Sequence, residues 1–399
     1  MDLRFTPEEE AFRAEVRDWV RENLPRDIWE KVDRGIELTR EQYVRWMRIL
    51  AGKGWIAPNW EAKDGGPGLT AAEKYILDDE IFLGGAPRTI HFGTRMVGPV
   101  LLAYGTPEQK RKYLPKILTS EEIWSQGYSE PGAGSDLASL QLKAVRDGDH
   151  YVLNGTKVWT SHAHYADRMF LLVRTANTGK KQEGITCLLV DLKTPGITIT
   201  PIITIDGRHV FNQEVFEDVR VPAEDRVGEE GQGWAIAKYL LGHERSNASW
   251  ISITKRTLHK LRQVAAAERS GDGMRLVDDP AFRVKIAEIE QSLEALELTS
   301  LRSLADSAAD QPVGPEASML KMRTGDAIQR VGELLMEAGA WYAQPFEPGA
   351  IRSGWNEEPV GPDYLFRMAP EYFDHRAMSI AGGSHEVQKN IIAKAVLGL

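Results

Sequence analysis

The 399-residue chain has a single cysteine, Cys187. An intramolecular disulfide, a thiolate metal cluster and a CxxC redox pair are therefore excluded. Positive charge is not in excess: 49 Lys and Arg stand against 58 Asp and Glu, a net charge of −9. That balance argues against nucleic-acid binding, which rests on clustered positive charge. No apolar run approaches the roughly 20 residues that a membrane span needs, so no membrane partner is expected. The nine histidines are scattered. HExxH, a Gly-x-Ser-x-Gly elbow, a Walker loop and a helix-opening GxGxxG are all missing, which sets aside the chemistries tied to them. The first twenty residues mix both signs of charge, unlike a secretory or transit signal, and a cytoplasmic protein is expected. What is present is ordinary globular composition, 42% hydrophobic and 27% charged. A chain this long usually divides into two or three domains and has room for a cofactor.

Three zones follow one another. Residues 1–120 read as helical: from Pro7 to Glu22, Phe12, Val16 and Val20 recur at four-residue spacing behind an acidic first turn. Further helices are expected over 41–52, 71–84 and 107–118, punctuated by the loop 64–68. Across 121–230 the period becomes two. Asn154-Gly155 sits between apolar alternations and predicts a hairpin turn. Met169–Arg174, Gly184–Leu192, Ile197–Thr204 and Glu214–Val221 are further strand candidates. Many short strands without intervening helices suggest an antiparallel barrel or sandwich. Over 231–399 the helical period returns, with helices expected at 232–270, 279–308, 315–343 and from 385, a bundle pattern. The stretches 270–279 and 344–363 read as loops.

Four segments offer chemistry, each with a plain alternative. In Gln126–Asp136, three glycines and several hydroxyls let a backbone approach a ligand closely; composition alone serves a simple glycine-rich loop as well. Trp159-Thr160-Ser161 ends a strand and pairs an indole with hydroxyls, suited to a planar heterocycle or equally to a packed core. On a helix, Glu244 shares a face with Leu240, Leu241, Ala248 and Ile251. Desolvation there raises a carboxylate's pKa and makes it a better base; the alternative is an ion pair with an arginine across the bundle. Gly382-Gly383-Ser384 opens a helix whose free N–H groups suit an oxyanion, or are simply capped by Ser384.

Together these segments resemble the acyl-CoA dehydrogenase family. The likeness rests on Tyr-Ser-Glu-Pro-Gly-Ala-Gly-Ser-Asp (128–136), Asn-Gly-x-Lys-x-Trp (154–159), Val-Phe-Glu-Asp-Val-x-Val-Pro (215–222) and Gly-x-Gly-Trp (231–234). It extends from the N-terminal helices to the terminal Leu399. The resemblance implies an α+β multidomain fold: an N-terminal helical domain (1–120), a middle β-domain (121–230) and a C-terminal four-helix bundle (231–399). It implies FAD, with Tyr128, Ser129, Gly134 and Ser135 at the flavin and Ser135 also facing acyl-CoA. Trp159 is implied against the isoalloxazine and Ser161 near its N5. Arg269, Ser384 and Glu386 match positions that serve the adenosine half, partly across a subunit boundary. The implied reaction removes hydrogens from Cα and Cβ of an acyl-CoA thioester to give the trans-2-enoyl-CoA.

The commonest family pattern is not followed throughout. The C-terminal loop that usually carries the catalytic Glu reads Ala381-Gly382-Gly383-Ser384. Gly382 retains a backbone N–H for the thioester oxygen. A minority of the family takes its base from the first bundle helix; the matching residue is Glu244, with Arg245 beside it as a substrate contact. On the adenosine side, Asp272 replaces an aromatic position, and Met336-Glu337 replaces a Gly-Gly. The implied partners are an electron-transfer flavoprotein and either a second copy, as dimer or tetramer, or a related subunit in a heterotetramer. A half-site or non-catalytic subunit and a flavin oxidase of the same fold are the competing readings. For the acyl pocket the family draws on 91–104. Gly98 and Pro99 suggest space there. Arg95 and His91 would suit a polar or acidic tail, against the alternative that Arg95 faces solvent.

Overall fold

The computed structural model describes residues 4–177, 179–243, 248–308 and 314–399. The N-terminal layer contains α1 (Pro7–Asn23), α2 (Arg26–Asp33), α3 (Arg40–Lys53), α4 (Ala71–Leu83), α5 (Gly98–Tyr104) and α6 (Pro107–Leu118). Reciprocal capping boxes start α1, α3, α4 and α6: Thr6 with Glu9, Thr39 with Gln42, Thr70 with Glu73, Thr106 with Gln109. Each satisfies two N–H groups that a helix start otherwise leaves open. The sequence pattern anticipated α1, α3, α4 and α6 nearly in register but not the short α2.

The middle layer is a sheet of β1 (Trp124–Gly127), β2 (Lys143–Asp147), β3 (His150–Ser161), β4 (Arg168–Arg174), β5 (Ile185–Asp191), β6 (Ile197–Ile203), β7 (His209–Pro222) and β8 (Arg226–Val227). The order is β6-β7-β3-β2-β4-β5-β8, with β1 beside β4. The expected antiparallel pairing holds for β2/β3, β3/β7, β4/β5, β5/β8 and β6/β7, whereas β1/β4 and the single β2/β4 pair are parallel. The sheet is therefore mixed: along the chain the β2–β3 hairpin intervenes between β1 and β4, which then pair directly in parallel.

Asn154-Gly155 does not turn the chain. The hairpin bends instead at Gly148-Asp149, where Asp147 pairs with His150. Gly155 lies inside β3 beside a bulge carried by β7, where Glu217 and Asp218 face the single residue Asn154; it sits at φ +145°, and a Cβ there would stand 2.9 Å from the Leu142 Cα. Asn154 exchanges two hydrogen bonds with Asp218, each 3.0 Å. The dipeptide's tolerance of unusual backbone serves a bulge here.

Strand β4 is buried on both faces. Phe170 and Leu172 join a core shared with Trp46, Trp60, Trp124 and Cys187, while Met169, Leu171 and Val173 join a second core with Tyr151, Leu188 and Phe216. Cys187 packs in the first, and burial pushes its thiol up to about 12, which makes it inert.

The C-terminal layer has α7 (Gly233–His243), α8 (Ala248–Ala267), α9 (Pro280–Ala308) and α10 (Glu316–Ala343), then α11 (Asp363–Phe366), α12 (Met368–His375) and α13 (His385–Ile392). The helix expected over 232–270 is thus described as two. The helices expected at 279–308 and 315–343 form as α9 and α10. Helix α10 packs against α8, α9, α12 and α13 around Leu261, Leu293, Val331 and Leu334. A buried ionic cluster ties this layer to the first. Arg13 of α1 contacts Asp79 and Glu80 of α4, each at 3.0 Å; Arg17 reaches Glu80 at 2.8 Å; Ser252 of α8 donates to Asp79 at 2.6 Å. No helix among the described residues is long and apolar enough to cross a membrane.

Candidate active site

The loop 128–136 and the end of β3 come together as the sequence motifs require, and a buried polar network joins them. Lys157 is fully buried on β3, and its Nζ donates to the Tyr128 carbonyl at 3.0 Å and to Glu130 at 2.8 Å. Val158 N–H donates to the Ser129 carbonyl at 2.9 Å. Glu130 also accepts from the backbone N–H of Gln141 and Leu142. An isolated charge at such depth is untenable, so the ion pair and its surrounding donors form one unit. Burial lowers Lys157 to about 8, with Glu130 opposing the shift. On the next residue pair, Thr160 Oγ1 donates to Glu214 at 2.5 Å, and burial raises Glu214 to about 7.

Trp159 lies between these two buried anchors. A register shift separates Val158/Gln213 from Thr160/Asn212, and Trp159 takes φ +62°. For a bulky residue that conformation costs about 1–3 kcal/mol and persists only where neighbours enforce it. The result is an indole 56% exposed, edge-on to Phe211 at 6.0 Å. Ser161 follows, half-buried, opposite Phe211. Tyr128 is buried edge-on to Phe170 at 5.7 Å; Ser129 is half-buried; Gly134 and Ser135 are exposed.

The glycines of this loop answer to something other than the protein's own packing. Neither Gly132 nor Gly134 adopts a positive φ, and a Cβ at either would meet nothing within 4 Å. An open glycine rim beside an outward-held indole and hydroxyls fits a planar aromatic cofactor with a polar chain, as FAD is.

The other expected site residues lie on the C-terminal layer. Gly382 is exposed at φ +65°, and Gly383 at φ +87°. Lys321 of α10 holds their loop by donating to the carbonyls of Met378 at 3.0 Å and Gly383 at 2.7 Å. Ser384 caps α13 by accepting from Val387 N–H, and Glu386 is exposed in that helix's first turn. Arg269 lies on the exposed turn after α8 and donates to the Gly273 carbonyl at 2.8 Å. Asp272 organises the same turn through Ser270 and Met274 N–H. Glu337 pairs with Lys285. Glu244 and Arg245 lie outside the described residues.

Arg95 is only partly exposed and is paired with the buried Asp78. Sequence reasoning assigned no role to Lys157, Glu130 or Glu214. A lysine inside a period-two apolar strand was the available signal for the first. Glu130 belongs to the 128–136 loop itself but its role depends on the buried Lys157, and Glu214 is brought to the site only by the pairing of β7 with β3.

The whole chain has relatives. Residues 6–121, 125–219 and 231–397 match the families described as acyl-CoA dehydrogenase N-terminal, middle and C-terminal domain. The chain is 36% identical to acyl-CoA dehydrogenase IpdE1 of Mycobacterium tuberculosis, covering 98% of this chain and 97% of that one. It is 34% identical to acyl-CoA dehydrogenase FadE26 of the same organism, covering 100% and 99%. Among solved structures, the Tcur3481-Tcur3483 steroid ACAD superposes with a TM-score of 0.86 at 30% identity, covering 100% and 99%. The ChsE4-ChsE5 complex from Mycobacterium tuberculosis superposes at 0.84 with 33% identity and the same coverage.

Proposed function

Because the chain belongs to the acyl-CoA dehydrogenase family, whose members are FAD-dependent oxidoreductases, we propose that it converts an acyl-CoA thioester to the trans-2-enoyl-CoA with Glu244 as base. The observation that carries this reading is the outward-held Trp159 beside an open glycine loop, fixed from beneath by Lys157 and Glu130. Bound FAD supplies a hydride acceptor at N5. Tyr128, Ser129, Gly134, Ser135, Trp159 and Ser161 hold its flavin half. Arg269, Ser384 and Glu386 serve its adenosine half, Arg269 across a subunit boundary.

The α-proton of a thioester is weakly acidic, so the carbonyl must be polarised as charge develops. Gly382, whose loop Lys321 anchors, donates its backbone N–H to that oxygen. Glu244 accepts the proton at a carboxylate oxygen, and a carboxylate gains basicity where it is desolvated. Arg245 and Ser135 position the CoA thioester.

Glu244→Gln keeps the residue's volume and removes its basicity. The variant should retain the yellow flavin spectrum and lose anaerobic bleaching by substrate. Bleaching at the wild-type rate would refute the assignment.

Electrons then pass to an electron-transfer flavoprotein. Assembly with a second copy or a related subunit belongs to the same reading; large apolar side chains are exposed at Trp341, Ile380 and Leu397. The ChsE4-ChsE5 structure is itself a complex of two named chains. Light scattering of the purified chain, alone and co-expressed with a related subunit, separates a homo-oligomer from a heterotetramer. A monomer in both would refute assembly.

A further inference from the structure

The loop that bears Gly382 is built as an arch against α10, and one side chain closes it. Lys321 is half-buried on α10, and its Nζ donates to the Met378 carbonyl at 3.0 Å and to the Gly383 carbonyl at 2.7 Å. Both ends of the segment 378–383 are thereby gathered to a single ammonium. One turn further along α10 a glycine permits the close approach. A Cβ at Gly325 would stand 3.2 Å from the Met378 carbonyl oxygen and 3.5 Å from His385 Nε2. Inside the arch the amides divide. Ile380 and Ala381 both donate their N–H to the Ala377 carbonyl, at 2.9 and 2.8 Å. Gly382 and Gly383 follow at φ +65° and +87°, and neither N–H has an acceptor among the described residues. Successive open backbone donors in such a turn suit an oxygen that carries negative charge.

The ammonium forms no ion pair among the described residues. The acids nearest to it are engaged or exposed: Asp326 pairs with Arg323 at 3.5 Å and faces His385 at 3.9 Å, and Glu386 is exposed in the first turn of α13. Two carbonyls on an exposed loop can be served by water, so stability alone gives no reason to half-bury a charge beneath them. Activation of a thioester does give one. Negative charge that grows on the substrate oxygen is favoured by a fixed positive site near it, which needs no reorganisation at the moment of reaction.

We infer that Lys321 is a positioning residue for thioester activation: it holds the arch 378–383 so that the Gly382 N–H is presented to the substrate carbonyl, and it keeps an unpaired positive charge beneath the same loop. The inference rests on the assignment of Gly382 in the dehydrogenase reading, and it adds the group that orients the donor.

The test reads carbonyl polarisation without turnover. Crotonyl-, octenoyl- and cinnamoyl-CoA, isotope-labelled at the thioester carbonyl, are bound to the FAD-loaded protein, and the C=O stretch is recorded by difference infrared spectroscopy. On the wild type the stretch of a bound thioester should fall below its solution frequency. Lys321→Met keeps most of the side chain's volume and removes its charge and donors; it should cancel most of that shift, whereas Lys321→Arg should retain it. In anaerobic flavin bleaching by the corresponding saturated thioesters, Lys321→Met should lower kcat by about 10- to 100-fold, less than deletion of an oxyanion donor outright, with little change in affinity for the enoyl-CoA. The flavin spectrum and melting temperature report on folding, and Lys321→Gln takes the place of a Lys321→Met protein that does not fold. A carbonyl shift that survives the loss of Lys321, or a fall in affinity with kcat intact, overturns the inference and leaves the dehydrogenase reading standing. An unshifted carbonyl on the wild type, or binding of none of the three thioesters, overturns the Gly382 assignment and the inference with it.

Discussion

Lys157→Met removes the ammonium that ties β3 to the loop 128–130 while keeping most of the side chain's volume. Three contacts change. Glu130 loses its counter-charge at 2.8 Å, the Tyr128 carbonyl loses a donor at 3.0 Å, and Glu214 loses the nearest positive charge that favours its ionised form. Breaking a buried pair by removing one partner costs about 3–5 kcal/mol. Glu130 keeps the Gln141 and Leu142 N–H donors, so the loss should fall near the lower end, about 2–4 kcal/mol. The consequence for function is local. The carbonyl freed belongs to Tyr128, at the head of the loop proposed to hold the flavin, so FAD affinity should fall by about 10-fold or more, the equivalent of roughly 1.4 kcal/mol.

A double-mutant cycle with Glu130→Gln isolates the pair. The double variant should be less destabilised than the sum of the singles, with a coupling of about 2 kcal/mol. Thermal melting of the apoprotein and fluorescence titration with FAD provide the two readouts. Additive losses, or a Lys157→Met protein that melts and binds FAD like the wild type, would refute the argument that this network holds the loop.

Other substitutions probe the remaining links. Trp159→Gly should relieve the positive-φ strain and stabilise the apoprotein by about 1 kcal/mol; FAD affinity should drop at the same time, and a drop in both would contradict the strain argument. Gly155→Ala forces a Cβ against the Leu142 backbone at 2.9 Å and should lower the melting temperature by several degrees, about 2 kcal/mol or more; an unchanged melt would refute the bulge's need for glycine. Glu80→Ala leaves Arg13 and Arg17 short of a buried acceptor and should cost about 3 kcal/mol, read by denaturant unfolding. Burial raises Glu214 to about 7, so between the unfolded value of about 4.3 and that point the native state binds protons that the unfolded chain has lost. Its contribution is present at low pH and is lost as pH rises through about 7; Glu214→Gln should flatten the fall in melting temperature from about pH 5 to 8, and parallel curves would rule the group out.

The expected helices of the first and third zones formed nearly where the 3.6-residue period placed them, because that period depends on one face per helix. Helix α12 was hidden behind the Gly- and Pro-rich 344–363 stretch, and four residues after Pro362 as α11 gave too short a pattern to read. In the sheet, strands were legible but pairing was not. Asn154-Gly155 has the local preference for a tight turn, yet β2 on one side and β7 on the other hold β3 straight and set the dipeptide opposite a bulge in β7. Of the site, the 128–136 loop and Trp159 stand out by residue type, but it took the family resemblance to choose a ligand site over a plain loop and a packed core. The reason the indole faces outward could not, since it depends on a backbone strain that Lys157 and Thr160 impose from either side.

The amino-acid sequence by itself determined what is local or compositional: the three zones, the absence of thiol and metal motifs, the glycine loop, and the lack of a carboxylate in the 381–384 loop. These are carried by short windows of chain, where propensity and spacing act directly. Only the tertiary structure decided which charges are satisfied. Arg95 and Arg88 are seven residues apart and look alike in sequence, yet Arg95 meets Asp78 one helix away and Arg88 meets no carboxylate among the described residues. Whether a charge is paired depends on partners brought from distant parts of the chain. Ion pairing is a property of three-dimensional neighbourhoods, which no short window of sequence contains.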